Sequence, residues 1–539
     1  MPRVLISDKL ESGGIELLRQ AGIELDERSG LSGAALQEAL QAADGVIVRS
    51  GTRITAELLE NPGRLKAVVR AGVGVDNIDV AAATRRGIVV MNTPGGNTVS
   101  TAEHTITMLL ALARHIPAAD ASVHQGKWER TKFVGTQLAG KTLGVIGLGR
   151  VGREVARRAA ALDMKVLGHD PFLSTERAAQ LGIESLPDLD QLLPRCDFVT
   201  VHTPLTEETR DLIGARQLGL MKPGSRILNC ARGGIVNETA LAEALRSGHI
   251  AGAALDVFGE EPPPADHPLL QFPNVVTTPH LGASTTEAQE SVAREAAQLL
   301  IDFLTRGVVQ FAVNMAAVDR TELEELRLYV NMAHRLGLLH AQMCQGAIRR
   351  AELHYRGEVA GRSTRLVTAA FAAGLLEFRL AQNVNIVNAE LLARERGIEI
   401  VEQSSSKKGD FSTLIRADVV TEKKTYTAAG TLFGNQYLRL VQLGPYHLDS
   451  FMDGIMLIFT HRDVPGLIGF IGTIFGKHRV NIAQMTVGRQ VAGGEAIAVL
   501  NLDSQPSDEA IAEIRAHPQI SSISVVKLPA ADEMPAWFG

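Results

Sequence analysis

The chain has 539 residues, enough for three or four domains of ordinary size, and its 45% hydrophobic content with 51 glycines fits packed α/β material. A net charge of −6 without a long basic run argues against nucleic acid or a membrane as a partner, and only 4% of residues are aromatic. The three cysteines are scattered, no secretory leader is visible, and no run of about 18 apolar residues occurs. We therefore expect a cytoplasmic protein without disulfides or a thiolate metal site.

Residues 1–98 alternate short apolar strands with helical stretches, which is the pattern of a doubly wound open sheet. Strands are predicted at Arg3–Ser7, Gly45–Val48, Ala67–Val69 and Ile88–Met91, and helices at Glu11–Gln20, Gly33–Ala42, Thr55–Leu58 and Asp79–Arg86. The segment Arg70–Asn77 follows a predicted strand, at the sheet edge where such folds bind ligands. A long helix is predicted to begin near Ser100 and to lead into a second sheet.

Residues 143–170 carry a dinucleotide-binding pattern. In order, they contain the strand Leu143–Ile146, the motif Gly147-x-Gly149-x-x-Gly152, a helix, the strand Lys165–Leu167 and the acid Asp170. The glycines allow a pyrophosphate to approach the backbone, and the helix N-terminus offers N–H groups. A tight strand-to-helix turn would also need small residues, but it would not explain Asp170. That carboxylate can accept hydrogen bonds from ribose hydroxyls and would repel a 2′-phosphate, so the pattern predicts NAD.

Three further segments follow predicted strands of the same sheet and carry one chemical group each. The strands are predicted at Phe198–His202, Arg226–Asn229, Gly252–Asp256 and Val275–Thr278. Arg232 can clamp a substrate carboxylate, His280 can take a hydroxyl proton as hydride leaves, and Glu261 can orient the imidazole. The helix predicted from Thr285 to Thr305 would return the chain to the first domain and leave a cleft between the two sheets.

Each of these residues also has an ordinary structural interpretation. Arg232 could be a turn arginine, Glu261 a solvated loop acid, and His280 a residue that braces a loop. Their joint appearance after strands of one dinucleotide-binding sheet favours the functional interpretation. Cys230 has no base beside it in the sequence, so we interpret it as a small apolar filler and not as a nucleophile.

Together these motifs resemble those of the D-isomer-specific 2-hydroxyacid dehydrogenases over roughly residues 3–315. Within that family, Ile47–Ser50, Arg70–Asn77, Gly126–Arg130 and two C-terminal domains are similar to the long-form branch that acts on phosphoglycerate. The resemblance then covers essentially the whole chain. It implies NAD-dependent oxidation of 3-phospho-D-glycerate to 3-phosphooxypyruvate, the first step of L-serine biosynthesis.

The resemblance also implies roles for individual residues. Arg232 would bind the substrate carboxylate, His280 would act as general acid and base, and Glu261 would hold His280. The substrate-binding residues implied are Arg49, as a phosphate ligand whose alternative is a surface arginine, and the loop residues Gly72, Val73 and Gly74, with Val73 in a position where some members carry threonine. The cofactor-binding residues implied are Gly147, Gly149, Arg150, Val151, Gly152, Asp170, Thr203, Cys230, Ala231, Asp256, Gly282 and Ala283, with a strand-end turn acid as the alternative for Asp256. Arg130 and Lys132 would add charge from a partner subunit.

After about residue 316 the sequence no longer shows the strand–helix alternation of the first two domains. Residues 322–345 are predicted to be helical, mixed α/β stretches follow, and residues 402–410 are predicted to form an exposed polar loop. Residues 453–528 are predicted to fold as β-α-β-β-α-β, a ferredoxin-like unit. This unit resembles the ACT regulatory domain through residues 461–466 and Asn481, which implies that Asp463, Gly466 and Asn481 bind an amino acid at a seam between subunits. L-serine is the effector hypothesised; an assembly domain that binds nothing is the alternative.

The predicted architecture is therefore α/β, with two Rossmann-like domains, an intervening α+β domain and an ACT domain. The expected limits are 1–98 with 286–315 for the substrate domain, 99–285 for the NAD domain, 316–452 for the intervening domain and 453–539 for the ACT domain. A homodimer or homotetramer is expected. Two other functions stay open: a glyoxylate or hydroxypyruvate reductase, and a non-enzymatic protein that senses NAD.

Overall fold

The computed structural model describes residues 1–315, 320–380, 383–407, 409–434 and 436–535. Its first sheet has five parallel strands in the order β2-β1-β3-β4-β5. The elements are β1 (Arg3–Ile6), α1 (Ser12–Gln20), β2 (Glu24–Glu27), α2 (Gly33–Ala42), β3 (Gly45–Val48), β4 (Ala67–Arg70), α3 (Val80–Arg85) and β5 (Val89–Asn92). The strands are parallel because each is followed by a crossover that returns the chain to the same end of the sheet.

The second sheet has seven parallel strands in the order β12-β11-β10-β9-β6-β7-β8. Its elements are α4 (Thr98–Arg114), α5 (Ile116–His124), β6 (Thr142–Ile146), α6 (Arg150–Ala161), β7 (Lys165–His169), α7 (Thr175–Gln180), β8 (Glu184–Ser185), α8 (Leu189–Leu192), β9 (Phe198–Val201), α9 (Ala215–Leu220), β10 (Ser225–Asn229), α10 (Glu238–Arg246), β11 (Ile250–Leu255) and β12 (Val275–Thr277). The order reverses direction beside β6, and ligands bind at such a switch point in open sheets.

The helix α11 (Thr286–Arg306) returns the chain to the first sheet. Its buried residues Val292, Ala296 and Leu300 belong to the same core cluster as Val4 and Ile6 of β1. The N-terminal residues of the chain and the helix after the second sheet therefore share one core.

The intervening part has a six-stranded sheet in the order β14-β13-β15-β16-β17-β18. Its elements are α12 (Arg320–Met343), β13 (Ile348–Gly357), α13 (Arg365–Glu377), α14 (Ala389–Glu395), β14 (Glu399–Ser405), β15 (Thr413–Thr421), β16 (Thr425–Phe433), β17 (Tyr437–Leu443) and β18 (Tyr446–Phe451). The helices α12 and α13 approach closely at Gly337 and Gly374, where an added Cβ would lie 2.2 Å from a carbonyl oxygen of the facing helix.

The last sheet has four antiparallel strands in the order β20-β21-β19-β22, with two helices on one face. Its elements are β19 (Ile455–Arg462), α15 (Leu467–Lys477), β20 (Ile482–Arg489), β21 (Glu495–Leu502), α16 (Asp508–Arg515) and β22 (Ile520–Lys527). This order is that of a ferredoxin-like fold, as the sequence predicts.

A buried arginine joins the last two parts. Arg335 of α12 is fully buried. Its guanidinium donates hydrogen bonds to the Asn331 side chain and to the carbonyl oxygens of Met452, Pro529, Ala530 and Glu533, at 2.6–2.9 Å. Burial lowers the pKa of Arg335, although the charges of Asp453, Glu533 and Asp532 oppose this effect, and the carbonyl dipoles offset part of the cost.

Four features differ from the expectations. Residues 56–59, within and just after the predicted helix Thr55–Leu58, form a turn. The strands β2 and β8 were not predicted, because Glu-Leu-Asp-Glu and Glu-Ser lack an apolar run. His115 adopts a left-handed conformation (φ 55°) and separates α4 from α5, where the sequence suggests one long helix. Residues 402–405, the first part of the predicted polar loop, belong to the edge strand β14, whose exposed polar residues resemble a loop in sequence.

No helix among the described residues is long and apolar enough to cross a membrane.

Candidate active site

The glycine loop between β6 and α6 leaves an open cradle. Gly147 has φ +88°, and an added Cβ would lie 2.6 Å from the His202 carbonyl oxygen, so glycine is required there. A Cβ on Gly152 would lie 2.0 Å from the Gly147 carbonyl oxygen, which lets α6 pack tightly against the loop. No atom lies within 4 Å of the position a Cβ on Gly149 would take. The loop is therefore closed on the protein side and open on the side where a pyrophosphate would lie.

Two other features of this edge fit NAD. The Asp170 carboxylate, directly after β7, accepts hydrogen bonds from the backbone N–H groups of Leu148 (2.8 Å) and Phe172 (2.9 Å), which fix it beside the glycine loop. The Thr203 hydroxyl is buried and has no hydrogen-bond partner within the described residues. An orphaned buried hydroxyl indicates a position where a bound polar group would act as partner.

The Arg150 side chain extends away from the glycine loop toward the first domain. Its guanidinium lies 5.6 Å from the centroid of the Phe311 ring. It also lies near Gly95 and the Glu295 carboxylate, which accepts hydrogen bonds from the Gly95 and Gly96 N–H groups. Burial raises the pKa of Glu295 despite these contacts. The structure thus places the side chain of this predicted cofactor-binding residue near Gly95 and Phe311, whereas Val151 is partly buried and packs against the core under α6.

Asp256 organises the loop that carries His280. Its buried carboxylate accepts hydrogen bonds from the Thr278 hydroxyl (2.5 Å) and the N–H groups of Leu281 (2.7 Å) and Gly282 (2.9 Å). It also contacts His104 Nε2 at 3.1 Å. Burial alone would raise the pKa of Asp256, but the hydrogen bonds from His104, Thr278 and Leu281 hold it below its usual value. Asp256 therefore fixes the loop of residues 278–282. Its contact with the cofactor stays a prediction.

His280 and Glu261 form a close pair. His280 Nδ1 lies 2.7 Å from Glu261 Oε2, and Glu261 Oε1 accepts a hydrogen bond from the Phe258 N–H at 3.1 Å. His280 has φ +54°, and its N–H donates to the Asp256 and Thr278 carbonyl oxygens. The His280 side chain is 48% exposed, so the ring is accessible to a ligand. With Nδ1 held by a carboxylate, Nε2 is the nitrogen left to exchange a proton.

Arg232 spans the cleft from the second sheet to the first. The Asn229 side chain fixes the turn that carries it, since Asn229 Nδ2 donates to the Arg232 carbonyl oxygen (2.8 Å) and Oδ1 accepts from the Ala231 N–H (3.1 Å). Arg232 Nε pairs with Asp76 Oδ2 at 3.1 Å. A Cβ on Gly74 would lie 2.0 Å from Arg232 Nη2, so only glycine lets the guanidinium lie against this loop.

The first domain adds two more guanidinium groups. Asp8 positions the Arg49 loop, because its carboxylate accepts hydrogen bonds from the N–H groups of Arg49 (2.5 Å) and Thr52 (3.2 Å). Arg70, at the end of β4, donates to the Ala71 carbonyl oxygen (2.5 Å) and lies against Gly72 (φ +150°). Burial, followed by the positive charges of Arg232 and Arg49, lowers the pKa of Arg70 to about 10. The cleft therefore holds three guanidinium groups, of which Arg232 is paired with Asp76; a bound anion would further reduce the repulsion among them.

Arg70 and His104 are the residues of this site that sequence reasoning missed. Arg70 opens the motif Arg70–Asn77, and its position at a strand end was the available signal. No sequence signal links His104 to Asp256, because the two residues lie 152 positions apart. Val73 is partly exposed beside this cleft, and its carbonyl oxygen accepts a hydrogen bond from Asn92 Nδ2.

Several other predicted residues have contacts of their own. Cys230 is buried, and burial raises the pKa of its thiol to about 12, which fits an apolar filler. The Gly282 carbonyl oxygen accepts from the Ser100 hydroxyl, and Ala283 follows it. Lys132 pairs with Glu129 at 2.5 Å at an exposed position, and among the described residues neither Arg130 nor Lys132 contacts the cleft.

The three predicted effector residues also have partners within the chain. Asp463 accepts hydrogen bonds from Arg489 Nη1 (2.6 Å) and the Gly493 N–H (3.1 Å), and these contacts lower its pKa. Asn481 Nδ2 donates to Asp503 Oδ2 at 2.6 Å. Gly466 has φ +89° and begins α15. Effector binding by these residues stays a prediction.

Three families match successive parts of the chain. Residues 106–282 match the D-isomer specific 2-hydroxyacid dehydrogenase NAD binding domain. Residues 325–444 match the D-3-phosphoglycerate dehydrogenase intervening domain, and residues 455–519 match the ACT domain. The predicted order of NAD-binding, intervening and ACT domains is confirmed.

The chain is also similar to whole proteins. It is 42% identical to the D-3-phosphoglycerate dehydrogenase of Methanocaldococcus jannaschii, over 98% of this chain and 100% of that one. It is 44% identical to the enzyme of the same name from Archaeoglobus fulgidus, over 95% of this chain and 97% of that one. The crystal structure of a glyoxylate reductase from Paecilomyes thermophila is 29% identical, with a TM-score of 0.53, and covers 58% of this chain and 98% of its own.

The sheets, the glycine loop and the cleft define an NAD-binding dehydrogenase of the D-isomer-specific 2-hydroxyacid class. The glyoxylate reductase matches little more than half of the chain, whereas the two archaeal relatives match nearly all of it. The chain belongs to the D-3-phosphoglycerate dehydrogenase family.

Proposed function

We propose that the chain oxidises 3-phospho-D-glycerate to 3-phosphooxypyruvate with NAD, the first step of L-serine biosynthesis. Two observations carry this proposal. Arg49, Arg70 and Arg232 lie close enough for their charges to interact, and the turn after Arg232 approaches Phe258, whose N–H binds Glu261 of the His280–Glu261 pair. A substrate with a carboxylate at one end and a phosphate at the other offers two anionic groups to these guanidiniums. An unphosphorylated acid would leave part of the positive charge uncompensated, which disfavours a glyoxylate or hydroxypyruvate reductase.

Each residue then has a distinct task. Arg232 binds the carboxylate next to the reacting carbon, and Arg49 with Arg70 binds the phosphate. His280 Nε2 takes the hydroxyl proton as the carbonyl forms, and Glu261 stabilises the resulting imidazolium through Nδ1. NAD, when bound, supplies the hydride acceptor; the glycine loop, Asp170 and Thr203 are the residues that would hold it.

The test replaces the proton acceptor. His280→Ala should lower NADH formation by a factor of at least about 10², the usual range for loss of general base catalysis. NADH binding, followed by its fluorescence, should stay unchanged because His280 does not contact the glycine loop. Unchanged turnover in this variant would remove His280 from the mechanism. Absence of NADH formation from every hydroxy acid tried with the native protein would favour a non-enzymatic NAD sensor.

We further propose that the protein is a homodimer or homotetramer in the cytoplasm and that L-serine binds its ACT domain. Three buried free cysteines support a reducing compartment. The apolar side chains of Trp128, Val134 and Ile468 are exposed in the single chain, as at an interface between copies. Light scattering gives the oligomeric state, and titration with L-serine should lower the initial rate and release heat. A monomer, or a titration with neither effect, would contradict the corresponding part.

A further inference from the structure

A cavity of about 480 Å³ lies in the intervening part of the chain, between α13, α14 and the edge strand β14. Its polar lining consists mainly of charged side chains: Arg365, Glu390, Arg394, Glu399 and Glu402, with Thr368 at its base. Cavities of this size that carry a few convergent polar groups are typical of small-molecule sites. The cavity is separate from the cleft and from the glycine loop.

One carboxylate of the cavity is fixed in place. Glu402 Oε2 accepts a hydrogen bond from the Thr368 hydroxyl at 2.5 Å, and Oε1 accepts one from the Thr364 hydroxyl at 3.2 Å. The Thr368 hydroxyl is itself 2.7 Å from the hydroxyl of Tyr355, which is fully buried. The buried Tyr355 thus fixes the Thr368 hydroxyl, and Thr368 fixes the Glu402 carboxylate. A binding group that is held in place before the ligand arrives loses less freedom on binding.

The other charges of the cavity lack close partners. Within the described parts of the chain, the side chains of Arg365, Arg394 and Glu390 make no ion pair or hydrogen bond, although their charges act on one another at longer range. The surrounding protein withdraws water from the Glu390 carboxyl and raises its pKa, although the positive charges of Arg365 and Arg394 oppose this effect. Glu399 differs, because it pairs with Arg350 at 3.4 Å.

The cavity therefore presents two guanidinium groups and two carboxylates to a ligand. Glu402 already accepts two hydrogen bonds, and the other three side chains have no close partner among the described residues. A phosphate dianion would meet Glu390 and Glu402, and a divalent cation would meet both arginines, so like charges disfavour either ligand. A molecule with one ammonium and one carboxylate group matches both signs at once. We propose that this cavity binds a small zwitterion, an α-amino acid, with its carboxylate on Arg365 and Arg394 and its ammonium group on Glu402 and Glu390.

The position of the cavity links it to the catalytic part. Arg365 and Glu390 also line a second cavity of about 360 Å³, whose other wall includes the connecting residues Val313, Asn314 and Met315. Asn314 is bound to the first sheet, since its Oδ1 accepts from the Val90 N–H (2.9 Å) and its Nδ2 donates to the Ile88 carbonyl oxygen (2.8 Å).

The helix α14, which carries Glu390 and Arg394, is also docked on the first domain. Arg85 of α3 pairs with Glu395 at 3.0 Å, and Asn385 Nδ2 donates to the Gly87 carbonyl oxygen at 2.9 Å. The segment Arg70–Asn77 of the cleft lies only a few residues before α3 in the chain. A ligand between α13 and α14 would therefore contact the same helix that docks on the domain that binds substrate.

The experiment uses the full-length protein and calorimetric titration with each of the protein amino acids, and with inorganic phosphate. We expect at least one amino acid to bind. Its affinity should fall at least tenfold in Glu402→Gln, which keeps the acceptor for the threonine hydroxyls, and in Arg394→Gln. The matched control Glu399→Gln, already paired with Arg350, should bind as the native protein does. Asp463→Asn separates the two sites: it should lose only an amino acid that binds at the ACT domain, and it should keep the binding that Glu402→Gln and Arg394→Gln weaken.

Three results would overturn the proposal. The first is that no amino acid binds to the native protein. The second is that binding is lost in Asp463→Asn but kept in Glu402→Gln and Arg394→Gln, which would place the amino acid at the ACT domain alone. The third is that inorganic phosphate binds the native protein more tightly than any amino acid does, and that this phosphate binding is lost in Arg394→Gln.

Discussion

We predict that Arg70 destabilises the protein when no anion is bound, because the guanidinium groups of Arg49 and Arg232 lie near it in the cleft. The pKa of Arg70 lies at about 10 in the fold, well below the ordinary value of a guanidinium, because burial and the charges of Arg232 and Arg49 oppose its charge. This lowering corresponds to a free-energy cost of about 3 kcal/mol. The folded pKa is lower than the unfolded one, so the cost is fully present below pH 10 and fades as the pH rises toward the ordinary pKa of a guanidinium.

The substitution Arg70→Met tests this cost. It keeps an unbranched side chain but removes the charge, together with one hydrogen bond to the Ala71 carbonyl oxygen that is worth about 1 kcal/mol. We therefore expect the free energy of unfolding of the ligand-free protein to rise by about 2 kcal/mol, as measured in denaturant at neutral pH. The KM for 3-phosphoglycerate should rise at least tenfold, since a guanidinium–phosphate contact is lost.

A matched control lies outside the cleft. Arg226 is also partly buried, its pKa is also lowered by burial, and its guanidinium lies over the Phe198 ring. Arg226→Met should leave the KM for 3-phosphoglycerate unchanged. If Arg70→Met destabilises the ligand-free protein and leaves the KM unchanged, then Arg70 is a structural residue and the argument from like charges is wrong.

Three further predictions concern the pair, the glycine loop and a thiol. Glu261→Gln should lower kcat by about 10² with little change in KM, in steady-state kinetics, because the imidazolium loses its anionic partner; an equal loss in kcat with KM raised tenfold would show a binding role instead. Gly147→Ala should lower the melting temperature, because the added Cβ meets the His202 carbonyl oxygen. Gly149→Ala should keep the native melting temperature but bind NADH more weakly, because its Cβ enters the open side of the loop. A lower melting temperature in Gly149→Ala but not in Gly147→Ala would contradict this description of the loop. Burial raises the pKa of the Cys230 thiol to about 12, so it should stay protonated and resist iodoacetamide between pH 7 and 9. If mass spectrometry traces inactivation by iodoacetamide to Cys230, the thiolate is accessible and this prediction is wrong.

The regular parts of the fold could be predicted because buried parallel strands are short apolar runs. β1 (Arg3–Ile6) and β6 (Thr142–Ile146) lie within one residue of their predicted limits. β2, with the sequence Glu-Leu-Asp-Glu, is an edge strand with two exposed glutamates, so no apolar run marks it. The domain limits themselves stay a prediction, although α11 shares its core with β1.

The chemical groups of the site were predictable from their positions after strands, but their supports were not. Arg232, Glu261 and His280 each follow a strand of one sheet, and the structure places His280 beside Glu261. The contact of Arg232 with Gly74 depends on how the two domains face each other, which no local pattern encodes. Sequence distance likewise hides the contact between His104 and Asp256.

We expect the cleft to select a phosphorylated hydroxy acid. The most direct measurement compares the kcat/KM of NADH formation from 3-phospho-D-glycerate with that from D-glycerate, under the same conditions. We predict a ratio of at least about 10² in favour of the phosphorylated acid, which is the effect of two charge-assisted hydrogen bonds. An equal rate, or a preference for D-glycerate, would contradict the assignment of Arg49 and Arg70 to the phosphate.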